Sequence, residues 1–285
     1  MTILLIWLLC IVVPGVLAWF VAYRWPQAAP TAPKISTEKV ESTAQEHQPT
    51  ITFVRSRLNP ESATGLALSA AFVVFIVGAL FVGLVLIMIH TNSGFARLDR
   101  SASLFAEHHA TNFSTKVLKI YTQIGGALVI VPLAVIVAVV ETIRQRSAAV
   151  VVFLTLVVGG QFLVADVLKS IVGRARPHFD QLTGFSGTSF PSGHAVATAA
   201  CFAGFALVIG RRRSLKVRSL LAGLAVGLAT GTGWVRVALG VHWLTDVLAG
   251  LALGWAWFAL CSIAFGGYQL RFGAPVKAAE ESVSL

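Results

Sequence analysis

The stretch AAVVVFLTLVVGGQFLVADVLKSIVGRARP, residues 148–177, decides the architecture. Up to residue 168 it is apolar, with Asp166 as its one charge. A hydrocarbon core about 30 Å thick takes about 20 helical residues, so 148–168 is long enough to cross a bilayer. The run then gives way to Lys169, Arg174, Arg176 and Pro177, a helix handing over to a cationic loop. Working outward, six more runs of this kind are found at 3–23, 65–90, 124–140, 192–209, 220–239 and 243–265. With 56% hydrophobic and 12% charged residues, the chain is far more apolar than an ordinary soluble domain. The expectation is an all-α, polytopic transmembrane helical bundle.

The formal net charge of +10 raises nucleic acid as a partner. The cations, however, sit in short clusters between apolar runs, with no interleaved aromatic platform and no groove-reading motif. Membrane topology and anionic headgroups account for the charge instead, so membrane lipids are the expected partners and nucleic acid is not. Cys10, Cys201 and Cys261 all lie inside apolar runs without the paired spacing of a zinc site or disulfide framework, and read as packing residues.

Lys and Arg collect in cytoplasmic loops, which orients the spans. Arg211, Arg212, Arg213, Lys216 and Arg218 form the densest cluster and place the connection after the fifth run inside. Counting from there puts Arg144, Arg146, the segment with Arg24, Lys34, Lys39, Arg55 and Arg57, and the tail with Arg271 and Lys277 on the same side. The N-terminus is then outside and the C-terminus inside. A cleaved signal peptide is the other reading of 3–23, but the run lacks a basic lead and a small-residue cleavage pattern. The expected division is an N-terminal transmembrane helix (1–23), a Pro-, Thr-, Glu- and Gln-rich flexible linker (24–62), a membrane core (63–267) and a cytoplasmic tail (268–285). Residues 91–123 make the longest outer connection. Phe95, Leu98, Leu104 and Phe105 recur there among Arg97, Asp99, Arg100 and Glu107, which predicts a helix in the interface, either a packed connector or a surface that admits lipid. Asn112-Phe113-Ser114 matches a glycosylation acceptor, a tripeptide frequent by chance.

Three short segments at the outer ends of spans carry chemistry. His242 and Asp246 are four residues apart, so on a helix their Cβ atoms lie about 5–6 Å apart on one face. A carboxylate that orients an imidazole exposes its other nitrogen as nucleophile or base, although such a pair also serves as a plain polar link between helices. Arg236, Lys169 and Arg176 either snorkel to headgroups or clamp phosphate oxygens. Their gathering at the outer ends runs against the positive-inside bias, which favours the clamp. Pro191-Ser192-Gly193-His194 opens the fifth run as a helix start able to cradle an anion, with His194 just beyond it as a candidate general acid, or else as a simple turn with a packed histidine. Asp166, Asp180 and Asp246 are too scattered for a two-metal centre, so no metal or other cofactor is expected.

Together these segments resemble the type-2 phosphatidic acid phosphatase and vanadium haloperoxidase superfamily. Its motifs are Lys, six residues, Arg-Pro; Pro-Ser-Gly-His; and Ser-Arg, five residues, His, three residues, Asp. Lys169 with Arg176-Pro177, Pro191 to His194, and Arg236, His242 and Asp246 match in order and spacing, over a region of about 65–265. Val235 stands where the third motif has Ser, a departure expected to tune activity rather than abolish it. The resemblance implies a six-helix phosphatase core, here with one extra N-terminal transmembrane helix, and a metal-independent lipid phosphatase of the cell membrane. It implies His242 as nucleophile forming a phosphohistidine, Asp246 orienting it, and His194 protonating the leaving group. Lys169, Arg176, Ser192, Gly193 and Arg236 would hold the phosphoryl oxygens. With the charge count, the site is expected on the extracytoplasmic, periplasmic side. The expected substrate is a lipid phosphate such as phosphatidic acid, phosphatidylglycerol phosphate or a polyprenyl diphosphate like the undecaprenyl carrier. Lipid phosphotransfer is the nearest alternative reaction, and a non-catalytic lipid transporter the alternative of another class.

Overall fold

The computed structural model describes residues 1–28, 63–178, 182–184, 187–211 and 213–269. Within them the chain forms nine α-helices: α1 (Thr2–Ala28), α2 (Ala63–Thr91), α3 (Ala96–His109), α4 (Asn112–Thr122), α5 (Ala127–Gln145), α6 (Ala149–Val172), α7 (Gly193–Gly210), α8 (Leu215–Ala238) and α9 (Leu244–Gln269). No strand occurs among the described residues. All but α3 and α4 are long and apolar enough to cross a membrane, so the chain is a multi-pass membrane protein of the expected all-α class. Most of the expected linker, 24–62, and of the tail, 268–285, lies outside the described residues. Within the described residues α1 extends to Ala28 and α9 to Gln269.

The centre of the bundle is α7. Two thirds of its span (67%) is buried in the protein, against 6% for α1 at the rim, whose exposed Leu, Val and Phe side chains suit a lipid surroundings. With little hydrophobic drive between helices in lipid, close backbone approach has to come from small residues. Gly250 and Gly254 of α9 do this against α7. A Cβ at Gly250 would lie 2.8 Å from Ser192 O, and one at Gly254 2.5 Å from Val196 O. The same device seats α1 on α8, where a Cβ at Gly227 would lie 2.6 Å from Ile11 O. Cys201 and Cys261 pack in the main apolar cluster, and all three cysteines are free.

Residues 91–123 hold two helices where one was expected. Thr111 is extended (φ −126°, ψ 156°) and starts α4 with a reciprocal cap: its hydroxyl accepts from Ser114 N at 3.1 Å, and Ser114 Oγ accepts from Thr111 N at 2.9 Å. Asn112-Phe113-Ser114 is therefore the first turn of a helix.

The two ends of the bundle differ in their polar groups. At one, the buried Glu141 of α5 accepts from Arg144 Nη1 and from Gln145 Nε2, both at 2.9 Å. Arg144 Nη2 in turn donates to Arg211 O, and Gln145 Nε2 to Val208 O, both at 2.9 Å, so α5 satisfies carbonyls at the end of α7. The other end gathers the three motif segments.

Candidate active site

Each motif residue is placed by a helix terminus. α6 runs one turn past the apolar stretch that ends at residue 168, so Lys169 lies in its last turn, and Gly173 (φ 60°) ends the helix. Ser192 is the N-cap of α7, and its N–H donates to Asp246 O at 3.0 Å, which ties the start of α7 to the first turn of α9. Gly193 leaves room for Lys169, whose Nζ would be 3.3 Å from a Cβ there. Between Arg236 and His242 the chain reverses through Gly240 at φ 71°, a conformation that glycine enters without a steric penalty. His242 N returns to Arg236 O at 3.3 Å, and the two motif residues are held side by side.

The imidazole of His242 is 2% exposed. Its Nε2 lies 3.2 Å from Arg176 Nη1. A guanidinium only donates, so Nε2 must offer its lone pair, and the ring carries its proton on Nδ1. Nδ1 faces Asp246 Oδ2 at 3.6 Å, beyond hydrogen-bond length. Burial pushes the pKa of His242 down to about 4; Asp246 opposes the shift, and Arg236 and Arg176 add to it. The ring is therefore neutral at physiological pH. Arg176 is itself fixed by backbone carbonyls: Nε donates to Gly187 O at 3.0 Å, Nη1 to Val241 O at 2.7 Å and Nη2 to Thr188 O at 3.1 Å. Burial also lowers its pKa, against the pull of Asp246.

Arg236 is 5% exposed, and its Nη1 donates to Thr122 Oγ1 at 3.3 Å. Among the described residues no carboxylate pairs with it, and its Nε has no partner. Among the described residues the ion pair of Lys169 Nζ is a loose one with Asp166, at 3.8 Å. Ser192 Oγ is buried with no partner. His194 lies within electrostatic reach of Arg236, His242, Lys169 and Arg176. Its ring also abuts the junction before α5, where a Cβ at Gly125 would stand 3.1 Å from His194 Cδ2. All eight expected site residues thus come to one end of the bundle. No group of three or more His, Cys, Asp or Glu able to hold a metal ion occurs among the described residues.

The structure adds residues that spacing did not reveal. Asp246 accepts from Ser189 Oγ through a short hydrogen bond, from Trp243 N at 2.9 Å and from Arg174 Nη1 at 2.6 Å. Arg174 also donates to Asp99 on α3, and Thr122 from the end of α4 holds Arg236. Only Arg174 had a local signal, as a third cation beside the first motif. Val235, the departure from the third motif, faces away into an apolar cluster with Ile3, Leu118 and Val241, where a serine hydroxyl would sit among hydrocarbon.

Beside His194 a groove of about 520 Å³ is lined by Asn112, Thr115, Lys116, Lys119, Ile120 and Gln123. A Cβ at Gly126 would be 3.9 Å from both Gln123 Oε1 and His194 Nε2, so the imidazole lies near the Gln123 wall of that groove.

Comparison with known proteins bears on this arrangement. The family model described as PAP2 superfamily matches residues 148–268. A lipid A 1-phosphatase of Rhizobium johnstonii is 38% identical over 150 residues, 46% of this chain and 57% of that protein, so the alignment spans little more than half of that relative. A phosphatidylglycerophosphatase B of Bacillus subtilis is 32% identical over 177 residues, covering 60% of this chain and 85% of the relative. Among solved structures, a transmembrane PAP2 type phosphatidylglycerolphosphate phosphatase from Bacillus subtilis superposes with a TM-score of 0.62 at 30% identity, covering 66% of this chain and 93% of that one.

Proposed function

The chain belongs to the PAP2 superfamily, and from that premise we propose that it is an integral-membrane lipid phosphatase working through a phosphohistidine on His242. One observation carries the reading. Arg236 is a buried cation with no carboxylate partner among the described residues, beside an imidazole whose free lone pair points at a second guanidinium. A buried cation costs several kcal/mol unless paired. A phosphate between Arg236, Arg176 and Lys169 supplies the missing charge and displaces Arg176 from Nε2.

The geometry supports the following steps. Nε2 of His242 attacks phosphorus as the bond to the leaving oxygen breaks, and His194, entering as the imidazolium paired with the phosphate, gives that oxygen its proton. The Nδ1–H of His242 closes on Asp246, which stabilises the charge gained by the ring. Such contacts are often long before substrate binds. Water then attacks the phosphohistidine, His194 takes its proton, and phosphate departs from a regenerated His242. Lys169, Arg176, Arg236 and the start of α7 at Ser192 and Gly193 hold the equatorial oxygens, with charge stabilisation supplied by fixed cations.

The substrate class is a lipid phosphomonoester or diphosphate, supported by relatives named for lipid A, phosphatidylglycerol phosphate and a decaprenylphosphoryl sugar phosphate. The cation count across the loops supports an extracytoplasmic site, and the same reading takes 63–267 as the phosphatase core.

Purified protein in mixed micelles, given a panel of lipid phosphates with and without chelator, tests the proposal. Free phosphate should appear without an added acceptor, His242→Ala should abolish it, and chelator should leave it unchanged. Unchanged release from His242→Ala would overturn the mechanism. Because His242 must be unprotonated to attack and His194 protonated to give up its proton, kcat/KM should fall as pH drops through about 4 and fall again on the alkaline side.

A further inference from the structure

A continuous chain of buried polar contacts leads from the site to a helix outside all three motifs. Asp99 of α3 is 4% exposed, and the hydrogen bonds of its carboxylate among the described residues go to the last membrane helix and to Arg174. Its Oδ1 accepts from Thr245 N at 2.8 Å; its Oδ2 accepts from Thr245 Oγ1 at 2.6 Å and from Arg174 Nη2 at 2.7 Å. The other arm of Arg174 donates to Thr245 Oγ1 at 2.8 Å and to Asp246 Oδ1 at 2.6 Å. The guanidinium also lies over the Trp243 ring, with its carbon 5.4 Å from the centroid. Carboxylate, guanidinium and carboxylate thus alternate along one line, and Asp246 at its end is the group that faces His242 Nδ1.

We propose that Asp99 is a positioning residue for this active site: through Arg174 it fixes the orientation of the Asp246 carboxylate and sets the charge that His242 experiences. A guanidinium with both arms engaged has one orientation. Its Nη1 occupies Asp246 Oδ1 and turns Oδ2 toward the imidazole. Asp99 also compensates the charge of Arg174. Without it, the full cation would act on Asp246 and weaken the negative field at His242. Because α3 is amphipathic and lies outside the spans, the relay joins the membrane-interface helix to the nucleophile.

The inference rests on the reading of His242 as nucleophile. His242 is also faced by Arg176 from the loop after α6, Arg236 from α8, His194 from α7 and Asp246 from α9, with Lys169 of α6 acting on His194. Substitutions at Asp99 and Arg174 keep all of these residues and share the loss of Asp246 orientation, so the charge that each removes sets their acidic limbs apart. Asp99→Asn removes negative charge, disfavours the imidazolium and moves the limb to lower pH. Arg174→Gln removes positive charge and leaves the limb at higher pH than Asp99→Asn does.

The test measures kcat, KM and the pH profile of lipid phosphate hydrolysis for both variants, with thermal unfolding in the same detergent. Asp99→Asn should lower kcat about tenfold with KM within about twofold, as expected when a group orienting a reacting residue is lost. A merely structural role in starting α9 would lower the unfolding midpoint without moving the two limbs apart. Thr245→Val deletes one hydroxyl from the relay, leaves the backbone contact to Asp99, and should cost kcat several-fold. It decides the matter if Asp99→Asn does not fold. Folded Asp99→Asn or Thr245→Val with kcat within about twofold of the parent, or an Asp99→Asn limb that does not lie below that of Arg174→Gln, would overturn the inference. Those results beside an inactive His242→Ala remove the relay alone, whereas an active His242→Ala removes the mechanism itself.

Discussion

The two ends of the bundle solve the same problem differently. Both place an arginine beside buried polar groups close to helix termini, where those groups need partners. At the Glu141 end the charged groups are paired internally: Arg144 and Gln145 meet one carboxylate and the last carbonyls of α7, and the atoms left without a partner among the described residues, Thr142 Oγ1 and Gln145 Oε1, are neutral. At the His242 end, Arg236 has one hydroxyl for a partner, while Ser192 Oγ, Arg236 Nε and His242 Nδ1 have none. Unpaired buried polar atoms cost about 1–3 kcal/mol each, so leaving several in one place weakens the free protein. One end is built for stability. The other is complete only with an anion in it.

Substitutions at the two ends should therefore give opposite phenotypes. The largest effect is expected from Arg236→Ala, with kcat/KM falling about 10²–10³-fold as a fixed donor to the phosphoryl oxygens is lost. The unfolding midpoint should hold or rise, because a buried unpaired cation is gone. Steady-state kinetics beside a thermal melt reads both, and a strong loss of stability would break the contrast. Arg176→Lys comes next, at about 10- to 100-fold in kcat, since an ammonium cannot span three carbonyls and a phosphate in the same plane. Glu141→Ala should do the reverse, lowering stability by about 2–3 kcal/mol through the unpaired groups it leaves while activity per folded molecule stays level. Inorganic phosphate should raise the unfolding midpoint of the parent but not of Arg236→Ala, by about 2.7 kcal/mol at a hundredfold excess over its dissociation constant. Lys119→Gln, on the groove beside His194, should have the smallest effect, about threefold or less in KM, because an exposed ion contact is screened.

Much of this arrangement can be read from the residues alone, because it is local. Apolar runs of bilayer length mark the spans, and a fixed interval from Arg236 to His242 to Asp246 survives any packing of the helices. What cannot be read is the contact across distance. Nothing in the order of residues says that Asp99 will meet Thr245, or that Thr122 will hold Arg236, since those partners come from helices whose rotation is set by packing. The small residues Gly250 and Gly254 are visible as letters, but their use against Ser192 and Val196 shows only when α7 and α9 are side by side. The break at Thr111 was obscured because Ser114, its capping partner, also completes a glycosylation tripeptide. The departure at Val235 reads in the sequence as a tuning of activity; what the sequence does not show is that Ile3 of α1 packs in the same apolar cluster, where an apolar side chain is the better fit.

The most direct test of the account is to locate the phosphoryl group during turnover. Enzyme mixed with labelled lipid phosphate, quenched under alkaline conditions within one turnover and digested, should carry acid-labile phosphate on the peptide containing His242, and none in His242→Ala. Label on any other residue, or turnover by His242→Ala at the parent rate, would contradict it.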